Sequence, residues 1–75
     1  MSTDVINQEM EIVNGSDKPA KVYLEPWGNE QTVDAGKRCR IAFQAVADRK
    51  VIELEYFEGG IVVWFLTDAT ADFVE

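Results

Sequence analysis

The chain contains no histidine. That removes the commonest general base, the usual partner of a catalytic serine or cysteine, and the commonest zinc ligand. Cysteine is nearly missing as well, since Cys39 is the only one. One thiol closes no internal disulfide, forms no dithiol redox pair and builds no thiolate metal cluster. A lone cysteine fits a reducing compartment. Met1-Ser2-Thr3-Asp4 has no basic region followed by an apolar one, so no signal peptide is read there and the expectation is a cytoplasmic protein.

Positive charge is scarce: 7 basic residues stand against 14 acidic ones, for a net charge of -7. Nucleic-acid backbone binding needs several well-placed cations, and an anionic membrane repels such a chain. Both partners are therefore excluded at this level. Long apolar runs are missing too. The longest, Ile61 to Leu66, covers six residues, far below the roughly 20 that a membrane helix needs. No stretch has the strand, glycine turn and helix of a phosphate loop, or the acidic spacing of a calcium loop. The expected cofactor list is empty, with no metal and no catalytic residue assigned.

What remains points to β structure. Hydrophobic residues make up 47% of 75 residues, enough for a core and too many for disorder. A chain of this length holds one domain and buries only about 60% of its unfolded surface. Turn signals fall at Asn14-Gly15-Ser16-Asp17, Trp27-Gly28-Asn29-Glu30, Asp34-Ala35-Gly36-Lys37, Ala47-Asp48-Arg49-Lys50 and Glu58-Gly59-Gly60-Ile61. Asn-Gly suits a positive φ, and Gly36 stands where a left-handed residue is often required. The segments between turns have strand lengths and are rich in Val, Ile, Tyr, Phe and Trp. Strands are expected at about 8–13, 20–25, 31–33, 38–45, 51–58 and 61–67. The fold class that follows is all-β, a small antiparallel β-sandwich or partly open barrel of about six short strands. Residues 1–7 read as a flexible lead-in, 8–67 as the single β domain, and 68–75 as a tail or short helical turn capped by Asp68.

Alternation assigns the faces. Cys39, Ile41, Phe43 and Ala45 share one side, Val22 and Leu24 another, Met10 and Ile12 a third, and Ile52, Leu54 and Tyr56 a fourth. Cys39 reads as a buried structural thiol. Glu9 with Glu11, Glu53 with Glu55 and Arg38 with Arg40 lie on the polar sides. If strands 38–45 and 51–58 are neighbours, the arginines meet Glu53 and Glu55 in a cross-strand ladder.

The last hairpin departs from this pattern. With Gly59-Gly60 as a two-residue loop, Phe57 faces Val62, Glu55 faces Trp64 and Leu54 faces Phe65. Val63 and Phe65 join the core, while Val62, Trp64 and Leu66 line up beside Phe57 on the other side. A strand apolar on both sides is usually covered on both. The cover is the C-terminal Ala69, Ala71, Phe73 and Val74, a second copy of the chain, or a different partner or small apolar ligand. Phe57, Val62, Trp64 and Leu66 are thus candidate binding residues. Trp27 joins them as either a plug at the end of the core or a partly exposed anchor, since tryptophan is favoured at interface centres.

The run Val22-Tyr23-Leu24-Glu25-Pro26-Trp27-Gly28, followed by Val33-Asp34-Ala35-Gly36 and the strand through Ile41, resembles small bacterial proteins with a Glu-Pro-Trp-Gly turn and no established function. The likeness spans about residues 12 to 66. It implies a compact β fold and no substrate. Three functions compete. The foremost is a non-enzymatic interaction or accessory module, self-associating as a homodimer through 61–67 or binding another protein. Behind it stand a small-ligand β-barrel or cupin-like domain without metal, and a catalytic domain working with carboxylates alone.

Overall fold

The computed structural model describes residues 5–46, 52–66 and 69–74. Among the described residues seven strands run in chain order: β1 (Val5–Val13), β2 (Ala20–Glu25), β3 (Asn29–Val33), β4 (Arg38–Val46), β5 (Ile52–Phe57), β6 (Gly60–Phe65) and β7 (Thr70–Val74). They form a three-stranded sheet, β1-β4-β7, and a four-stranded sheet, β3-β2-β6-β5. Among the described residues no helix is long and apolar enough to cross a membrane. The all-β sandwich expected from alternation is what forms. The Ala47–Lys50 turn, Val51 and Thr67 lie outside the described residues.

The core is where the inner faces meet. Val22 and Leu24 of β2, Ile41 of β4 and Val63 of β6 are the largest fully buried side chains. Each contributes roughly 1.5–3 kcal/mol by leaving water. Val33, Cys39, Ala45, Ile61, Phe65 and Ala69 complete the layer, with Met10, Ile12 and Phe43 among the residues packed against it. Phe43 meets Phe65 across the sheets at 5.5 Å between ring centroids.

Several details differ from expectation. β1 begins at Val5, so residues 5–7 belong to the three-stranded sheet; Asn7 pairs with Gln44 in the β1–β4 ladder. The C-terminal segment is a seventh strand rather than a helical turn or tail. It pairs antiparallel with β4, matching Phe73 to Ile41 and Ala71 to Phe43. Ala71 and Phe73 thereby gain the same buried side as their partners, a reward that eight residues read in isolation do not reveal.

The arginine ladder forms on a different strand. β4 and β5 lie in separate sheets, so Arg38 bridges Glu11 at 3.2 Å and Arg40 bridges Glu9 at 3.6 Å. All of these side chains are solvated, and such pairs contribute roughly 0–1 kcal/mol each.

The final hairpin turns one residue earlier than Gly59-Gly60. Its loop is Glu58-Gly59, with Gly59 at φ 98°, and Phe57 faces Gly60 rather than Val62. Glu53 consequently faces Trp64, Glu55 faces Val62 and Leu54 faces Val63. The displacement is two residues along one strand, so each side chain keeps its expected face. The reason is steric. A Cβ on Gly60 would stand 2.1 Å from the Lys21 carbonyl oxygen, so glycine is needed in the strand as well as in the loop.

β2 and β6 pair in parallel, from Lys21↔Gly60 to Glu25↔Trp64, whereas the other pairings are antiparallel. The chain leaves the four-stranded sheet for β4 and returns as β5, which supplies the crossover that parallel neighbours require.

Asn14 also behaves differently. Gly15 takes no left-handed φ, and residues 14–19 join strands of different sheets rather than closing a tight hairpin. The Asn14 side chain makes the turn. Its Nδ2 donates to the Lys18 and Val33 carbonyls at 2.7 and 2.9 Å, and its Oδ1 accepts from the Ser16 backbone and hydroxyl. It is 7% exposed. Gly36, by contrast, takes φ 73° within the Asp34–Lys37 turn, as its position predicts.

Candidate functional site

The outer face of the four-stranded sheet collects most of the residues singled out by sequence. Registers of three neighbouring pairs define its rows. Thr32, Lys21, Gly60 and Phe57 stand in line; so do Glu30, Tyr23, Val62 and Glu55; Glu25, Trp64 and Glu53 form a third row. Strand alternation turns these residues away from the core occupied by Val22, Leu24, Ile61, Val63 and Phe65.

Gly60 shapes the first row. Lacking a side chain, it lets the Phe57 ring cross β6 and reach Tyr23, with ring centroids 5.8 Å apart and planes tilted by 48°. An aromatic laid over a strand glycine shields backbone that a Cβ would otherwise cover. Val62 occupies the centre, half-buried. Trp64 closes the strip; its indole Nε1 donates to Glu55 Oε1 at 3.0 Å, which fixes the ring diagonally across the strand pair. Phe57 and Trp64 remain 42% and 37% exposed.

The strip is bordered by acid. Lys21, bridged to Glu30 at 3.6 Å, is accompanied by Glu25, Glu53 and Glu55 on the same face.

β7 does not cover this face. It extends the other sheet, which removes the C-terminal segment from the three expected covers. Leu66 follows the end of β6 and is half-buried. Trp27 stands apart from the strip. It sits in the β2–β3 turn after the cis Glu25-Pro26 bond and packs on Phe65, a core residue, at 5.5 Å. It closes the end of the core while staying 41% exposed.

Tyr23 belongs to the strip, although its place opposite Val22 and Leu24 was the only hint; its contact with Phe57 depends on the β2–β6 pairing. Leu54 and Tyr56 carry a second surprise. Alternation assigns them to the core side, yet they are 49% and 80% exposed. β5 is an edge strand, and the three-stranded sheet does not extend over it.

A groove of about 600 Å³ opens at the Asn14 end of the sandwich, lined by Ile12, Pro19, Val22, Val33, Tyr56 and Ile61 among others. Asn14 borders it, but its amide is already committed to backbone carbonyls. Among the described residues no three of His, Cys, Asp and Glu stand together as metal ligands. Cys39 is buried, and desolvation raises its thiol pKa against smaller opposing backbone hydrogen bonds. No protein-family model, curated protein or solved structure matches the chain.

Proposed function

We propose that the chain is a non-enzymatic protein-interaction module whose contact surface is the outer face of the four-stranded sheet. One observation carries this reading: β6 is apolar on both sides, and only its inner side is covered within the described fold. Val62 forms the centre of the contact, Phe57, Tyr23 and Trp64 its aromatic anchors, and Glu25, Glu53 and Glu55 its rim. Such aromatic anchors typically dominate binding energy. The net charge of -7 favours a protein partner over nucleic acid or an anionic membrane. A cytoplasmic location belongs to the same proposal, on the free thiol of Cys39. The Glu-Pro-Trp-Gly resemblance adds no activity to it.

A photo-crosslinking amino acid placed at Val62 tests the reading in cells that produce the protein. A discrete adduct is expected from this position and none from Glu9, on the outer face of the other sheet. An adduct of twice the chain mass would identify the partner as a second copy. Equal labelling at the two positions, or none at Val62, would count against the face.

The groove beneath Asn14 supports a second reading, a metal-free module for a small apolar ligand. Titration with such ligands, followed by NMR shifts at Ile12, Val33 and Ile61, separates the two. Shifts confined to those residues favour the groove.

A further inference from the structure

Strand β5 is an edge of the four-stranded sheet. Exposed strand edges are normally blunted by charged side chains, lysine above all, by proline, by a bulge or by an inward-pointing charge. β5 has no lysine, proline, bulge or inward-pointing charge, and its only charges are the acidic Glu53 and Glu55 on the outer side. Its ladder with β6 runs unbroken from Ile52↔Phe65 to Phe57↔Gly60. Its sequence is Ile-Glu-Leu-Glu-Tyr-Phe, and Ile52, Leu54 and Tyr56 point to the inner side. The opposite edge of the same sheet, β3, is polar along Asn29-Glu30-Gln31-Thr32. No described strand pairs with the free edge of β5.

Beside this edge lie two unlike surfaces. On the inner side Leu54 and Tyr56 form an apolar shelf, 49% and 80% exposed, beyond the reach of the three-stranded sheet. On the outer side Glu53 and Glu55 form an acidic pair. A strand added here would meet backbone donors and acceptors at its edge, apolar groups on one face and carboxylates on the other.

We propose that β5 receives an extended segment of another protein as a fifth strand, a segment in which apolar residues alternate with lysine or arginine. This rests on the interaction-module reading and names its partner class. Main-chain hydrogen bonds supply affinity in such strand addition, and alternate side chains supply specificity. The apolar residues lie on the Leu54–Tyr56 shelf, and the basic ones beside Glu53 and Glu55.

A second copy fits this edge poorly. Residues paired across a two-fold axis must share a sheet face, so self-pairing gathers Glu53 and Glu55 of both copies on one side. Like charges placed opposite one another are destabilising, and each copy carries a net charge of -7.

The test uses a synthetic peptide, Lys-Val-Lys-Ile-Lys-Val-Lys, with two controls: the same composition with all lysines first, and glutamate in place of lysine. Binding is followed by NMR titration and amide hydrogen exchange on the full chain. The alternating peptide is expected to slow exchange within Ile52–Phe57 and to bind about ten-fold more tightly than either control, the order that two or three exposed ion pairs supply. In the Glu53→Lys/Glu55→Lys variant, preference should pass to the glutamate peptide. Absence of binding overturns the proposal, as does equal binding by the lysine-block peptide. Shifts centred on Val62 and Trp64 with β5 exchange unchanged also overturn it, while leaving the face as a docking surface. A free chain that sediments as a dimer with β5 amides already protected assigns the edge to a second copy and overturns it too. Loss of the Val62 crosslink with β5 protection intact would instead remove the face reading alone.

Discussion

Replacing Gly60 by alanine is expected to be the most damaging single-methyl change in the chain. The added Cβ would lie 2.1 Å from the Lys21 carbonyl oxygen and 2.8 Å from Phe57 Cζ, whereas real Cβ contacts essentially never fall below 3.0 Å. Backbone cannot swing aside as a side-chain tip can, so β2 and β6 must separate by about 1 Å to restore ordinary contact. The Lys21 N–H to Gly59 carbonyl bond, now 2.8 Å, would stretch beyond hydrogen-bonding range. Overpacking of this kind costs typically 1–3 kcal/mol, and each ladder bond lost adds about 1 kcal/mol. The expected total is about 3–4 kcal/mol, against a whole-domain stability on the order of 4–11 kcal/mol for 75 residues. Urea unfolding followed by fluorescence of Trp27 and Trp64 measures it. Two other glycines calibrate the result. Gly15→Ala meets nothing within 4 Å at an ordinary φ, so it should be neutral or slightly stabilising. Gly59→Ala has open space but a φ of 98°, so it should cost roughly 1–2 kcal/mol of backbone strain. If Gly60→Ala costs no more than Gly59→Ala, the steric account of the parallel pairing is wrong.

Three further outcomes are expected. Asn14→Ala leaves the Lys18 and Val33 carbonyls without their side-chain donor and should cost about 2–3 kcal/mol, read from the same urea midpoints. Trp64→Ser should cost only about 1 kcal/mol, because the ring is already part exposed, whereas Phe65→Ala in the core should cost roughly 3–5 kcal/mol; comparable losses in thermal unfolding would mean that Trp64 is covered. Burial raises the Cys39 thiol pKa above its ordinary value of 9.0, so the folded state holds that proton more tightly than the unfolded chain. The corresponding stability is intact below about pH 9 and declines as pH rises through the folded value. Cys39→Ala should flatten that alkaline decline, and native alkylation of Cys39 should be slow beside the denatured chain.

Alternation along each strand determined which side chains share a face, because a period of two is a property of the extended backbone alone. Val22 with Leu24, Cys39 with Ile41, and Val62 with Trp64 were legible in this way, as was the left-handed turn at Gly36. The two apolar sides of β6 could also be read, since no tertiary knowledge is needed to see Ile61 to Leu66 as an unbroken apolar run. Tertiary structure decided what each face meets. Alternation says that a side chain seeks cover without naming the cover, so only the fold paired Arg38 and Arg40 with Glu11 and Glu9, set Tyr23 against Phe57, and sent Phe73 to Ile41. The hairpin register likewise depended on a distant group, the Lys21 carbonyl that leaves Gly60 no room for a side chain. The exposure of Leu54 and Tyr56 followed from the width of the opposing sheet. Such contacts join residues far apart in sequence, and no local pattern encodes them.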